Sequence, residues 1–259
     1  MNAEPIVPSP AGDADIATVA ALIGEPARAR VLMGLLDGRS LAASVLAAEA
    51  GVSPSTMSEH LARLVAGGLI VGERQGRSRY YRLATPQVAA AMESLAQLAP
   101  AEPIASLRQG THAHAIRRAR TCYRHLAGRL GVALLAGMLR RQLLTRSDGV
   151  PGVDRAQQDA LSTPGSAINY ALTRAGQDEL TDLGVDLDSV LTYQSAIRYC
   201  VDWSEQRHHL AGRLGSAITD QLFKLEWMSR ARSGRAVHIS ATGREGLRAR
   251  FGVDDSWDC

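Results

Sequence analysis

Apolar positions recur every three to four residues through most of the chain, the period of helices. Ile16, Val19, Ala20 and Ile23 mark a first stripe. Glu25-Pro26 opens a second helix through Val31, Leu32, Leu35 and Leu36, which Asp37-Gly38 stops. Leu41 to Ala50 reads as a short alanine-rich helix and Gly51-Val52 as a tight turn. Ser53 then caps a helix with Pro54 at its first position, with Met57, Leu61 and Leu64 as its apolar stripe. From Leu69 to Arg74 and from Arg79 to Leu83 the pattern becomes that of strands, joined by Gln75-Gly76-Arg77-Ser78. A helix from Pro86 to Leu98 follows, and Ala99-Pro100-Ala101-Glu102-Pro103 breaks the pattern. Residues 1–12, with three prolines and no period, read as a disordered arm. The expected division is therefore the arm, a domain at 13–100 and a second at 104–259.

The second domain repeats itself. His125–Gly131 and His209–Gly215 both read HLAGRLG. Each copy leads into a helical stretch and an apolar-to-basic exit, Leu143-Leu144-Thr145-Arg146 or Trp227-Met228-Ser229-Arg230. A strand, turn and helix then start from Tyr170 or Val237. This layout points to a duplicated helix–wing–helix unit, over about 120–185 and 207–253. A longer Gly/Pro/Asp-rich loop, Ser147 to Ala167, marks the first copy, and a helix from Leu187 to Gln206 is expected to link the two. The stripes Val132, Leu135, Met138, Leu139 and Ile218, Leu222, Leu225 are expected to enclose a cavity. The fold class is mainly α with small β wings: a winged helix-turn-helix followed by two repeated units.

Between Leu41 and Leu83 a short helix, a glycine turn and a second helix form the arrangement that places the second helix in a DNA major groove. Its exposed turns offer Ser53, Ser55, Thr56, Ser58, Glu59 and His60 to bases and phosphates, with Arg63 one turn on. The hairpin adds Arg74, Arg77, Arg79 and Arg82 with no acid from Gln75 to Thr85, which suits phosphates and a narrow minor groove.

Residues 13–98, through EPARARVLMGLLDG and LAAEAGVSPSTMSEHLARLVAGGLIVGERQGRSRYYRLA, resemble the ArsR (ArsR/SmtB) family of bacterial regulators. The resemblance implies a homodimer paired through the first and last helices of the domain. It implies a double-stranded operator as partner, and repression relieved by an effector. It also implies where metal sites would be, and these are missing. LAASVLAAEA has no Cys-x-Cys, and VAAAMESLAQLA supplies one Glu and no His. The effector is thus an unknown small molecule, expected to bind the C-terminal extension, with no cofactor assigned.

Two other readings stand beside this one. The first is a thiol- or metal(loid)-responsive regulator in which zinc or a metalloid binds Cys122, His125, Cys200 and His208. Against it, Cys122 and His125 fall on an expected helix and the repeat sets Gln206 opposite Cys122, so the cysteines read as buried small hydrophobes. The second is an architectural DNA binder without a ligand. No phosphate loop, G-x-S-x-G or His-Glu-x-x-His is present, so no enzyme is expected.

Charge adds one feature. Eight arginines and no acid lie between Thr111 and Ser147, and an acidic stretch from Asp178 to Glu205 follows, so the two are expected to meet. An N-terminus without a basic and apolar leader, no run near the ~20 apolar residues of a membrane helix, and three widely spaced cysteines suggest a cytoplasmic protein without a membrane partner.

Overall fold

The computed structural model describes residues 13–99, 107–159, 165, 167–192, 196–231 and 234–258; the N-terminal arm and the Pro100–Pro103 boundary lie outside them. The first half runs α1 (Ile16–Ile23), α2 (Pro26–Gly34), β1 (Leu41–Ala42), α3 (Ala43–Ala50), α4 (Pro54–Ala66), β2 (Ile70–Gln75), β3 (Ser78–Leu83) and α5 (Pro86–Leu98). Side-chain caps set the helix starts. Asp15, Glu25, Ser53 and Thr85 accept hydrogen bonds from the backbone N–H groups of Thr18, Arg28, Thr56 and Val88. Gly51 ends α3 at φ 70°, a left-handed cap that glycine adopts without steric cost. Leu41 and Ala42 do not begin a helix. They pair with Tyr81 and Tyr80 and extend the hairpin to a sheet ordered β1-β3-β2. Val31, Leu32, Leu35, Leu46, Met57, Leu61, Leu64 and Ile70 fill the core of this winged helix-turn-helix.

The second half begins with α6 (Leu107–Arg118). It continues through β4 (Arg120–Cys122), β5 (His125–Ala127), α7 (Gly128–Arg140), β6 (Leu144–Arg146), β7 (Tyr170–Leu172) and α8 (Arg174–Asp182). After α9 (Leu187–Leu191) come β8 (Arg198–Val201), β9 (His208–Ala211), α10 (Gly212–Lys224), β10 (Met228–Arg230), β11 (Val237–Ile239) and α11 (Ala241–Phe251). Each HLAGRLG straddles a strand and a helix, and each is preceded by a strand that makes an antiparallel hairpin with it. The Leu187–Gln206 stretch is not one helix. Tyr199, Cys200 and Val201 are all buried, and such a short apolar run fits a strand as well as a helix; pairing with β9 decides it.

The stripes on α7 and α10 close on each other instead of lining a cavity. Leu130, Leu135, Met138, Leu214, Ile218 and Leu222 share one core with Leu180, Leu247 and Phe251, while Leu225 is exposed. The basic stretch meets the acidic one through Arg120 with Asp202 and Arg129 with Glu205, while Arg118, Arg124 and Arg146 pair with Asp258, Asp220 and Asp148 outside it. Among the described residues, no helix is long and apolar enough to cross a membrane.

Candidate nucleic-acid interface and metal centre

Helix α4 buries Met57, Leu61 and Leu64 and leaves Ser53, Ser55, Thr56, Ser58, Glu59 and Arg63 exposed. At its N-terminus the Ser53 hydroxyl lies 2.9 Å from that of Ser55 and 2.8 Å from that of Thr56. Ser58 donates to the Pro54 carbonyl at 2.9 Å. His60 does not join this polar face. Its Nδ1 sits 3.5 Å from Glu25 Oε2 with the side chain 14% exposed, so it holds α4 against the cap of α2. Spacing had signalled this, since 57, 60, 61 and 64 form one helical stripe. Arg63 lines an open cleft of about 530 Å³ with Thr18, Leu22 and Arg28.

In the wing, Arg74 pairs with Arg79 and Gln75 with Ser78, so Gly76-Arg77 is a two-residue turn with Gly76 at φ 60°. Arg74, Arg77 and Arg79 are exposed. The Arg79 guanidinium lies 5.6 Å from the centre of the Tyr81 ring, while Arg82 is held by Glu73 at 3.0 Å.

The second cluster is interior. Cys122 faces His125 across the first hairpin, and Cys200 faces His209 across the second. Cys122 therefore corresponds in space to Cys200, not to Gln206. The connections differ in length, two residues (Tyr123 and Arg124) in the first hairpin against eight (Val201 to His208) in the second, so counting along the sequence misaligns them. All four side chains are buried and their donor atoms lie within 4.8 Å of one another. The two histidines meet through Nε2 atoms 3.1 Å apart. The glycines of the motif make room reciprocally: a Cβ on Gly131 would lie 3.5 Å from His209 Cβ, and one on Gly215 would lie 3.2 Å from His125 Cβ.

Electrostatics prepares this cluster unevenly. A hydrogen bond with Cys122, reinforced by His125 and opposed by burial, brings the Cys200 thiol down to about 6. Its hydrogen bond with Cys200, then burial and Glu93, push Cys122 up. Burial drives the His209 imidazole down to about 3, against the pull of Asp202. His209 is thus neutral near pH 7, with Nδ1 3.4 Å from Asp202 Oδ2.

His208, the histidine expected among the ligands, points elsewhere. Its Nε2 lies 2.7 Å from Asp159 and its Nδ1 2.7 Å from the Tyr170 hydroxyl, while Tyr199 donates to Asp159 at 2.6 Å. Neighbours on a strand face opposite sides, so only one of His208 and His209 can join the cluster. The motif match between His125 and His209 was the signal that selects His209.

The sequence reading also passed over Glu93 on α5. The Cys122 thiol donates to its two carboxylate oxygens at 3.1 and 3.0 Å, and Arg235 reaches it at 2.8 Å. Nearby, the Gly234 N–H donates to Glu49, and Arg39 donates to the Gly234 carbonyl at 2.6 Å. The cysteine–histidine cluster thus adjoins the seam between the two halves.

Comparison with known proteins covers both halves. Residues 23–73 match a family described as a helix-turn-helix domain. The chain is 33% identical over 240 residues to the uncharacterized HTH-type transcriptional regulator YdfF of Bacillus subtilis, spanning 92% of this chain and 98% of that one. It is 36% identical over 83 residues to the HTH-type transcriptional regulator CmtR of Mycobacterium tuberculosis, spanning 32% of this chain and 70% of that one. Among solved structures, a homodimeric winged helix-turn-helix DNA-binding domain, Mb0332 of Mycobacterium bovis, described as from a possible ArsR-family regulator, aligns at 29% identity. That alignment covers 34% of this chain and 87% of that one, with a TM-score of 0.29.

Proposed function

Because this chain belongs with the HTH-type transcriptional regulators, we propose that it is a homodimeric, operator-binding repressor of the ArsR kind, released through its long C-terminal extension. The observation that carries this is the split character of α4. It packs by Met57, Leu61 and Leu64 and leaves a polar face of Ser55, Thr56, Ser58 and Glu59 in solvent, as a helix that reads a major groove must. Ser53 and Arg63 contact the backbone, and wing residues Arg74, Arg77 and Arg79 neutralise flanking phosphates.

Dimerisation is supported by the ends of the winged helix. Helix α1 has no buried residue, with Ile16 74% exposed, and Leu98 on α5 is 84% exposed. A second copy would cover these apolar side chains. The domains are 13–100 for DNA and 104–259 for control, and the protein works in the cytoplasm without catalysis. The control domain is read as a duplication, each unit comprising a hairpin, a helix, a second strand pair and a helix. Matched left-handed positions at Gly128 and Gly212, and at Gln142 and Glu226, support that reading.

Selection of duplexes from a random pool by the full-length protein tests the function. A two-fold symmetric consensus with half-sites about one helical turn apart is expected. Binding that ignores sequence would favour the architectural reading and sink this one.

A further inference from the structure

The interior cluster has the composition of a metal centre and a place in the fold from which it can report. We propose that Cys122, His125, Cys200 and His209 are the four ligands of a closed, tetrahedral site for one divalent ion of the zinc class. Two thiolates and two imidazoles form a donor set that such ions prefer. A tetrahedral ion with bonds of about 2.0–2.3 Å holds its donors roughly 3.3–3.8 Å apart. Here the donor atoms already lie within 4.8 Å of one another, and the two Nε2 atoms are 3.1 Å apart. Each hairpin contributes one cross-strand Cys/His pair, so the ion would clasp the two hairpins where they meet.

The surroundings match what an ion requires. Two ring nitrogens facing each other need either a shared proton or a common cation between them. His209 Nδ1 is buried without an aligned hydrogen-bond partner, 3.4 Å from Asp202. A small rotation toward a metal would complete the carboxylate–histidine–metal relay that orients such ligands. Asp202 is itself fixed by Arg120 at 2.8 Å and by the Gly128 N–H at 2.7 Å. A dication with two thiolates and two neutral imidazoles carries no net charge, which suits a buried position.

Binding has a consequence for the winged helix, and this step rests on the operator-binding reading above. Coordination takes both sulfurs as thiolates. Two metal–sulfur and two metal–nitrogen bonds replace the ion's bonds to water, the thiol protons of Cys122 and Cys200 leave to solvent, and the hydrogen bond from Cys122 to Glu93 breaks. Glu93 belongs to α5, the helix through which the dimer is read to pair. Loading the site therefore removes one of the links tying the control domain to the DNA-binding domain.

The test uses the full chain with Cys259→Ser, so that Cys122 and Cys200 are its only thiols. Reduced, chelator-treated protein is titrated with Co2+ alone. One equivalent per chain is expected, with the strong visible bands of tetrahedral cobalt and a thiolate-to-cobalt charge-transfer band, all erased by Zn2+. The bands should vanish in Cys200→Ser and in His209→Gln and persist in His238→Ala, which alters an exposed histidine. Should a ligand variant fail to fold, alkylation of the wild-type thiols must release one Zn2+ per chain. An octahedral spectrum, uptake that ignores thiol alkylation, or reduced protein that takes up no cobalt and closes a Cys122–Cys200 disulfide in air would overturn the site. Operator affinity of zinc-loaded and chelated protein should differ about tenfold. Stoichiometric tetrahedral cobalt with unchanged operator affinity would leave the site standing and overturn its control of DNA. Failure to select any operator would remove the functional reading and leave the cobalt result intact.

Discussion

The Nη2 of Arg120 reaches both carboxylate oxygens of Asp202 at 2.8 Å, and both side chains are almost wholly buried. The pair spans the two HLAGRLG hairpins, since Arg120 lies on β4 and Asp202 follows β8. Asp202 also accepts the Gly128 N–H at 2.7 Å, so a residue of the second hairpin fixes the start of α7 behind the first. Burial pulls the Asp202 carboxyl up, but Arg120, His209 and the Gly128 N–H outweigh it and hold it far below the usual carboxylate range.

Replacing Asp202 with Ala leaves a buried guanidinium unpaired and should cost about 3–5 kcal/mol, read from urea unfolding at pH 7. The double variant Arg120→Met, Asp202→Leu removes both charges and should recover part of that loss, since the Gly128 N–H still lacks its acceptor. Because the folded carboxyl titrates below the unfolded one, its contribution is complete above about pH 4–5 and declines as pH falls further. The Asp202→Leu double variant should therefore lose less stability than wild type between pH 5 and pH 3. Parallel acid curves would refute the ion pair's part.

The second glycine of each motif, Gly131 and Gly215, admits the histidine of the other hairpin. A Cβ on Gly131 would lie 2.5 Å from the Leu126 carbonyl and one on Gly215 2.7 Å from that of Leu210. Gly131→Ala and Gly215→Ala should each destabilise by about 1–3 kcal/mol through overpacking. Thermal melts check this, and a neutral effect at both positions would show that the hairpins have room to separate.

On the DNA side, Arg77→Ala with Arg79→Ala should weaken binding to every duplex alike. The salt dependence should flatten by about 0.9 in log–log slope for each phosphate no longer neutralised. Ser55→Ala or Thr56→Ala should change which operator base is preferred instead. Electrophoretic titration at several salt concentrations separates the two effects, and full-strength binding by the double arginine variant would exclude the wing.

A chain ending near Gln109 should still bind the operator, less tightly, and should no longer be induced. The buried carboxylates Asp37 and Glu93, whose ion-pair partners include Arg230 and Arg235 of the second half, then enter water, where a charge carries no desolvation cost. A folded, dimeric fragment that ignores the operator would move DNA recognition into the second half.

The winged helix was legible because its signals are local. The caps Glu25, Ser53 and Thr85, the prolines after them and the Gly76-Arg77 turn each decide structure within four residues. The interior cluster was half legible: Cys122, His125 and Cys200 were singled out, His208 was chosen in place of His209, and Glu93 was passed over. Helical periodicity absorbed the short strands β4, β5, β8 and β9, whose pairing is settled only by tertiary structure. With strands unread, side-chain alternation went unseen, and alternation is what separates His208 from His209.

The exchange of side chains between hairpins predicts that the second half opens as one unit rather than two. His125 and His209 touch across 84 residues of chain. The long loop of the first copy crosses to the second as well, where the His208 N–H donates to the Val153 carbonyl at 2.7 Å and Asp159 holds His208. Each hairpin is closed partly by residues of the other, so the two are expected to open together. Amide protons of Leu126 in β5 and Leu210 in β9 should exchange with the same free energy of opening, as members of a single foldon. The winged helix has a core of its own, and ion pairs and hydrogen bonds from Glu93, Glu49 and Asp37 couple it to that unit.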